Sequence, residues 1–165
     1  MTACSNGNQP TADLDSARSG WRSTEVALAS AGIHTGWSGS ATVGEDGVQG
    51  VVMGAVDCPD GGSLNVEAEA EVTEGRTEGE LSITFDGCNA DGVTIDGAIT
   101  YAALVDTTDG TDVTAEVHGE LEWSGDAEGT CAVDISAHVT SDGASATSSV
   151  SGGLCGHGWT DVFAH

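Results

Sequence analysis

Two histidines and their acidic neighbours are the residues whose types and spacing best suit metal binding. His118 and His138 occupy polar positions on two adjacent predicted strands. If a tight turn joins those strands as a hairpin, His118 lies opposite Asp134, with Glu116 and Glu120 beside it. Imidazole and carboxylate groups in such a cluster suit a divalent metal ion. The alternative is a solvated polar face with a favourable cross-strand pair.

A segment of closely spaced aspartates is the best candidate for a calcium site. Asp106, Asp109 and Asp112 crowd three carboxylates into one predicted loop that also offers main-chain carbonyls. Calcium takes roughly six to eight oxygen ligands, so calcium is the one cofactor we expect, if there is any. The segment is not an EF-hand, because the flanking helices are missing and Val117 stands where the closing glutamate belongs. The alternative is a hairpin turn built on Asp109-Gly110.

The rest of the chain offers little that suits catalysis. His157 and His165 flank Trp159, which suits either a copper or zinc site or an ordinary terminal strand. Serines are abundant, but the G-x-S-x-G pattern of a nucleophile elbow does not occur. Nearly all acidic residues fall at outward strand positions or turn tips, so we expect no pair of carboxylates in a cleft. We therefore expect a protein that is not an enzyme.

Strict alternation of apolar and polar residues predicts the strands that carry these side chains. From Leu64 to Val72, apolar residues alternate with Asn65 and three glutamates. Asp-Gly and Glu-Gly pairs mark the turns between such runs. The predicted strands cover 36–44, 48–57, 63–73, 80–87, 92–105, 111–124, 129–140 and 144–154, with a ninth over 158–164. Because the connections are short, we expect an all-β antiparallel up-and-down meander, barrel-like or strongly curved.

One helix is predicted ahead of the strands, over about residues 11–32. Leu14, Trp21 and Leu28 recur at seven-residue spacing and form one apolar stripe. Gly20 within this segment weakens a helix by about 1 kcal/mol relative to alanine. Many inward sheet positions are small, so we expect the helix to pack on the concave face of the sheet. The alternative is a barrel filled by side chains, with the helix outside it or over one end.

Four of the five cysteines are predicted to form two disulfides. Cys58, Cys88, Cys131 and Cys155 all fall at strand ends toward the same end of the meander. Pairing within hairpins gives Cys58–Cys88 and Cys131–Cys155, although the first pair needs a bulge or loop to absorb an offset. The crossed pairing, Cys58–Cys155 with Cys88–Cys131, stays open because sequence does not fix connectivity. No C-x-x-C spacing indicates zinc, and two disulfides imply an oxidising compartment.

The charge of the chain excludes one class of partner. Its 165 residues contain 27 acidic side chains, three arginines and no lysine, which gives a net charge of -24. Such a chain repels the phosphate backbone, so we expect no nucleic-acid partner. It also repels anionic lipid surfaces. The length suits one domain, and we expect residues 1–10 to form a flexible tether ahead of a single β domain over 11–165.

The remaining cysteine lies in a segment that resembles a known signal. Thr2-Ala3-Cys4-Ser5 resembles the end of a bacterial lipobox, in which a small residue precedes the cysteine that becomes lipidated. The Asn, Gly and Gln residues that follow are similar to the tether of that class, whereas Met1 stands where a leucine is usual. The resemblance covers about ten residues of the chain. It implies lipidation of Cys4 and, because Ser5 is not aspartate, sorting to the outer membrane of a Gram-negative cell.

These observations together predict an exported, non-catalytic binding or structural module. We expect it at the cell surface or in the periplasm, attached to the outer membrane only through lipid on Cys4. A signal peptide would then already have been removed from this sequence. Protein partners or self-association at the cell surface are expected. The alternatives are a carrier of a small apolar ligand in a β-barrel, a subunit that assembles through edge strands, and a calcium-binding extracellular module.

Overall fold

A single antiparallel sheet follows one helix along the chain. The computed structural model describes residues 11–31 and 52–163. Its elements are α1 (Leu14–Ser30), β1 (Val52–Asp57), β2 (Ser63–Thr73), β3 (Arg76–Ala90), β4 (Val93–Asp106), β5 (Thr111–Gly125), β6 (Gly129–Ser141), β7 (Ala146–Leu154), β8 (His157–Gly158) and α2 (Trp159–Phe163). The strands pair in chain order, so the predicted all-β meander with an N-terminal helix is confirmed. Within the described residues the sheet stays open, with β1 and β8 at its edges, and does not close into a barrel.

The predicted last strand, over 158–164, is wrong. Only two residues pair as β8, and the chain then turns into the short helix α2. The rings of Trp159 and Phe163 lie four residues apart on this helix, with centroids 3.9 Å apart, a spacing that favours helix over strand. Arg18 of α1 donates to two of the last carbonyl oxygens of α2, at 2.6 and 3.1 Å, and so satisfies groups that the helix end leaves free.

Several predictions concern parts of the chain outside the described residues. These are the tether over 1–10 with Cys4 in it, the strand over 36–44, and His165. The predicted strand over 48–57 is described from Val52 onward, as β1. Neither helix within the described ranges is long and apolar enough to cross a membrane.

The two predicted disulfides both form, at one end of the sheet, which we call the cysteine end. Cys58 bonds to Cys88 with the Cα atoms 5.4 Å apart, and Cys131 bonds to Cys155 at 4.1 Å. The crossed pairing is therefore excluded. The offset in the first pair is absorbed in the turn after β1, whose main chain pairs with Asn89 at 2.8 and 3.0 Å. A bulge in β3 also comes just before Cys88.

Helix α1 packs on the apolar face of the sheet, near the cysteine end. Asp13 caps the start of the helix: its side chain accepts from the main-chain N–H of Ser16 at 2.8 Å, and this hydrogen bond lowers the pKa of Asp13. Its predicted stripe faces inward, with Trp21 and Leu28 fully buried. The sheet residues in the same core are large and apolar: Ile83, Phe85, Ile95, Leu121, Trp123 and Ile135. This core holds the helix against the sheet.

Gly20 has a packing role that the sequence did not reveal. A Cβ atom at this position would lie 2.3 Å from Cε3 of Trp123 in β5. The Trp123 indole Nε1 donates to the Thr24 hydroxyl at 3.3 Å, and that hydroxyl donates to the carbonyl oxygen of Gly20 at 2.8 Å. Only glycine allows the helix to come this close to the indole ring. The weaker helix propensity of glycine is offset by this close contact.

Candidate functional site

The cluster around His118 forms on the solvent-exposed face of the sheet, opposite the apolar face, which we call the wet face. His118 of β5 pairs with Asp134 of β6, and its Nδ1 lies 3.1 Å from the Asp134 carboxylate. Its Nε2 lies 3.5 Å from Glu116 on the same strand. The His118 side chain is 51% exposed, so these contacts are screened by water. Glu120, the other predicted neighbour, is exposed on the same face.

His138 makes a separate pair rather than joining the first cluster. Its Nε2 lies 2.9 Å from a carboxylate oxygen of Asp112, and both side chains are about half exposed. In the register of β5 and β6, His138 lies opposite Thr114, four residues from the position opposite Asp134. In the described part of the chain, no group of three or more His, Cys, Asp or Glu side chains is arranged to hold a metal ion. The metal site at His118, Asp134 and His138 stays a prediction.

The aspartates proposed for calcium lie at the opposite end of the sheet, which we call the distal end. Asp106 and Asp112 are directly paired where β4 and β5 meet their hairpin. Asp106 accepts from the main-chain N–H of Thr108 at 2.9 Å, and this hydrogen bond lowers the pKa of the Asp106 carboxyl. Asp109 is exposed at the turn. Asp106 thus shapes the turn and Asp112 contacts His138, while calcium at this loop stays a prediction.

His157 has a structural contact in the described chain. Its Nε2 donates to the main-chain carbonyl oxygen of Ala12 at 3.1 Å. Ala12 in turn donates from its N–H to the carbonyl oxygen of Thr130 in β6, at 3.0 Å. These two hydrogen bonds fix the segment that enters α1 against the cysteine end of the sheet. His157 therefore connects β8 to the segment that precedes α1, and the predicted copper or zinc site with His165 stays a prediction.

The helix covers only part of the apolar face of the sheet. Near the cysteine end, inward residues such as Ile83 and Leu121 are fully buried. Toward the distal end, the inward side chains of the sheet are smaller; some are exposed, as at Ala70 and Ala103, and others are half-buried, as at Val105. We call this second region the distal apolar face; it comprises Ala70, Val72, Gly79, Ala103, Val105, Val113, Ala115, Val139 and Val150. An open apolar area of this kind on a folded protein is typical of an interaction surface.

Three polar groups lie at the boundary between the part of the sheet that α1 covers and the distal apolar face. Tyr101 of β4, the one tyrosine of the chain, has a buried hydroxyl without a hydrogen-bond partner among the described residues. The indole Nε1 of Trp21 is likewise buried, and no described group lies within hydrogen-bond geometry of it. Glu25 lies near both. Burial raises the pKa of Glu25, an effect that the nearby Trp21 indole partly reverses.

The pKa of Tyr101 is also raised, first by burial and then by the negative charge of Glu25. The phenol is therefore protonated at neutral pH. It presents a hydrogen-bond donor beside a carboxylate at the border of an apolar surface. Such a combination can orient a bound group that has both apolar and polar parts.

The half-buried carboxylate of Glu25 makes a pH-dependent contribution to stability. Because its pKa is raised on folding, the folded state binds the proton more tightly than the unfolded chain does. The free energy of unfolding therefore falls as pH rises from the unfolded pKa through the folded one. We expect Glu25→Gln to stabilise the protein at pH 7 by about 0.5 kcal/mol or less, since water screens the site, and to have no effect near pH 3.

Urea unfolding at the two pH values measures this difference. Glu67→Gln is the matched control, because it removes the same charge from an exposed position on the wet face of β2. A stabilisation by Glu25→Gln that equals that of Glu67→Gln at pH 7, or one that persists unchanged near pH 3, would contradict the argument.

Sequence reasoning missed the group of Trp21, Glu25 and Tyr101. A signal was present in the helix, because Glu25 falls four residues after Trp21 and three before Leu28, inside the apolar stripe. A charged residue at such a position either reaches water at the edge of the stripe or faces a polar partner. No comparable signal identifies Tyr101, which fits the inward alternation of β4 like any apolar residue.

Comparison with known proteins adds no relative: no family model, curated protein or solved structure matches this chain.

Proposed function

We propose that this protein is an exported, non-catalytic binding module that lipid on Cys4 attaches to the outer membrane of a bacterial cell. The observation that carries the proposal is the pair of disulfides, Cys58–Cys88 and Cys131–Cys155. Disulfides of this kind persist in oxidising compartments and are rare in the cytosol. They use four of the five cysteines of this sequence, and Cys4 belongs to neither bond.

The site geometry supports binding rather than catalysis. The two histidines on the wet face each pair with a carboxylate, are about half exposed, and have no nucleophilic side chain within hydrogen-bond distance among the described contacts. A histidine held by a carboxylate acts as a base only when a nucleophile lies within its reach, and among the described contacts no serine, threonine or cysteine side chain meets either histidine. The distal apolar face, by contrast, offers exposed and half-buried apolar positions, with Glu25 and Tyr101 at its border. We therefore assign binding to this face of the sheet.

The open sheet gives no support to a barrel that encloses a small ligand, so that alternative is not carried further. The heavy negative charge fits the proposal, because a protein with 27 acidic residues and three arginines stays soluble and resists unspecific contacts beside a membrane surface.

The intact mass of the protein from its native cells, measured with and without reduction, tests the proposal. We expect a lipid-sized addition on Cys4 and a gain of four hydrogens on reduction, two for each disulfide. The matched variant Cys4→Ser should lack the addition, keep the same gain on reduction, and leave the membrane fraction. A chain with five free thiols and no addition would overturn export and anchoring together.

A further inference from the structure

Among the described strands, β7 presents a long edge that the sheet does not use. On one side its residues pair with β6 in an unbroken register, from Ala146 opposite Ser141 to Leu154 opposite Val133. On the other side, β8 pairs only with the last two residues of the strand. Residues 146–152 therefore have no strand partner on that side within the described part of the chain. All seven are exposed.

This edge lacks the features that usually prevent strands from pairing between molecules. Natural edges are blunted by charged side chains, proline, bulges or short length. From Ala144 to Thr160 the chain has no Asp, Glu, Lys, Arg or Pro, although the whole chain has 27 acidic residues. The register with β6 contains no bulge. The edge is thus an uncharged row of main-chain donors and acceptors that stays in one register with β6.

Apolar side chains continue beside the edge on the inward face. Val139 of β6 and Val150 of β7 are 38% and 39% exposed, and they are the large apolar side chains most open to solvent among the described residues. Both belong to the distal apolar face. A strand added next to β7 would place its own inward side chains against Val150, where cross-strand contacts stabilise a sheet.

We propose that β7 is a self-association edge, at which a second copy of this chain adds its own β7 antiparallel to the first and joins two sheets into one. A two-fold interface uses the same surface on both copies, and an antiparallel pair of identical strands has this symmetry. Because the edge is uncharged, two copies with a net charge of -24 each repel least when they approach along it. A basic partner protein would be attracted by acidic residues at the edge, and residues 146–152 contain none.

Association through this edge depends on salt. The repulsion between two acidic copies acts over a Debye length of about 30 Å at 0.01 M salt and about 3 Å at 1 M. The hydrogen bonds and apolar contacts of the edge itself are little affected by salt. We therefore expect monomers at low salt and dimers at high salt. The proposal does not depend on export or on lipid at Cys4.

Sedimentation velocity across salt and protein concentration tests the proposal, with the full chain carrying Cys4→Ser so that neither lipid nor an intermolecular disulfide joins two copies. The edge variant carries Ser148→Asp and Ser151→Asp, which add one charge to each face of β7. The control carries Thr84→Asp and Ser124→Asp, which add the same charge at exposed positions of the central strands β3 and β5. We expect the dimer dissociation constant at about 1 M salt to rise at least tenfold in the edge variant and to stay within twofold in the control.

Amide hydrogen exchange of the unmodified edge locates the interface and does not depend on whether the variants fold. We expect the main-chain amides of residues 146–152 to exchange more slowly as the dimer forms, while those of β1 keep their rate. A chain that stays monomeric at high salt, or a dimer that leaves the exchange of β7 unchanged, would overturn the proposal.

Discussion

Removal of the Cys131–Cys155 disulfide by a double alanine substitution is expected to lower the free energy of unfolding by about 3 kcal/mol. The bond closes a loop over a sequence separation of 24 residues, and a cross-link of that length restricts the unfolded chain strongly. Both cysteines are almost fully buried, so the loss of the two sulfur atoms adds to the effect. Urea unfolding of the oxidised variant and the wild type measures the difference.

The backbone at Cys155, which has a φ of 56°, also affects the stability of a variant without this disulfide. For a residue with a side chain this left-handed conformation costs about 1 kcal/mol or more, and the cross-link holds the chain in it. Cys155→Gly in place of alanine relieves that cost and keeps the cross-link absent. The variant with Cys131→Ala and Cys155→Gly should therefore be more stable than the double alanine variant by about 1 kcal/mol. A double alanine variant as stable as the wild type would contradict the predicted effect of the disulfide. Equal stabilities of the alanine and glycine variants would contradict the predicted backbone cost at Cys155.

The other disulfide offers an internal comparison. Cys58–Cys88 spans 30 residues and lies at the same end of the sheet. The loop model predicts almost the same loss for its removal, because the loop entropy grows only slowly with length. Measured losses that differ widely between the two bonds would mean that contacts in the native state, rather than the unfolded chain, determine their contribution.

The sheet and its disulfides were predictable because their signals are local. From Leu64 to Val72 the period of two fixes which side chains face water, and the same period recurs in the later strands. Short turns then make the topology a meander, which brings Cys131 and Cys155 together at the ends of one hairpin. Once the hairpin register is fixed, the opposition of His118 and Asp134 follows directly.

The features that sequence reasoning missed depend on contacts between distant parts of the chain. Gly20 weakens an isolated helix, and only the position of Trp123 more than a hundred residues later explains it. The helix α2 replaces a predicted strand because Arg18 satisfies its end and because the rings of Trp159 and Phe163 meet. Glu25 and Tyr101 meet only once the helix is placed on the sheet. Such pairings are set by tertiary packing, which overrides local propensity.

The open edge of β7 is an intermediate case. The uncharged run around Val150 is visible in the sequence, but the sequence alone predicts a strand that is paired on both sides. The pairing shows that β8 covers only the end of the strand, which converts a neutral strand into an exposed edge. The composition and the topology are both needed to assign this edge an interaction, and neither does so alone.

Trp123→Ala is expected to lower the free energy of unfolding by about 3–5 kcal/mol. The Trp123 side chain is fully buried between the sheet and α1 and lies against Gly20. Its removal opens a cavity at the point where the helix is closest to the sheet. The free energy of unfolding by urea, followed by far-ultraviolet circular dichroism, measures the effect. A loss below about 1 kcal/mol would mean that the helix does not depend on this contact.

Two further variants separate the causes of the stability loss in Trp123→Ala. Trp123→Phe keeps an aromatic ring but removes the indole N–H that Thr24 accepts, so it should lose less, about 1–2 kcal/mol. Gly20→Ala adds a methyl group where a Cβ would stand 2.3 Å from the indole. Because alanine favours a helix by about 1 kcal/mol and overpacking costs about 1–3 kcal/mol, Gly20→Ala should still destabilise the protein.

In a protein that already carries Trp123→Ala, the effect of Gly20→Ala on the free energy of unfolding is expected to change sign. Without the indole ring the added methyl group meets no obstacle, and the higher helix propensity of alanine is then the larger effect. We therefore expect Gly20→Ala to stabilise the Trp123→Ala background although it destabilises the wild type. This change of sign in a double-mutant cycle would show that the glycine is required by the contact with Trp123 rather than by the helix itself. An unchanged destabilisation in both backgrounds would show that the helix backbone, and not the tryptophan, requires glycine at position 20.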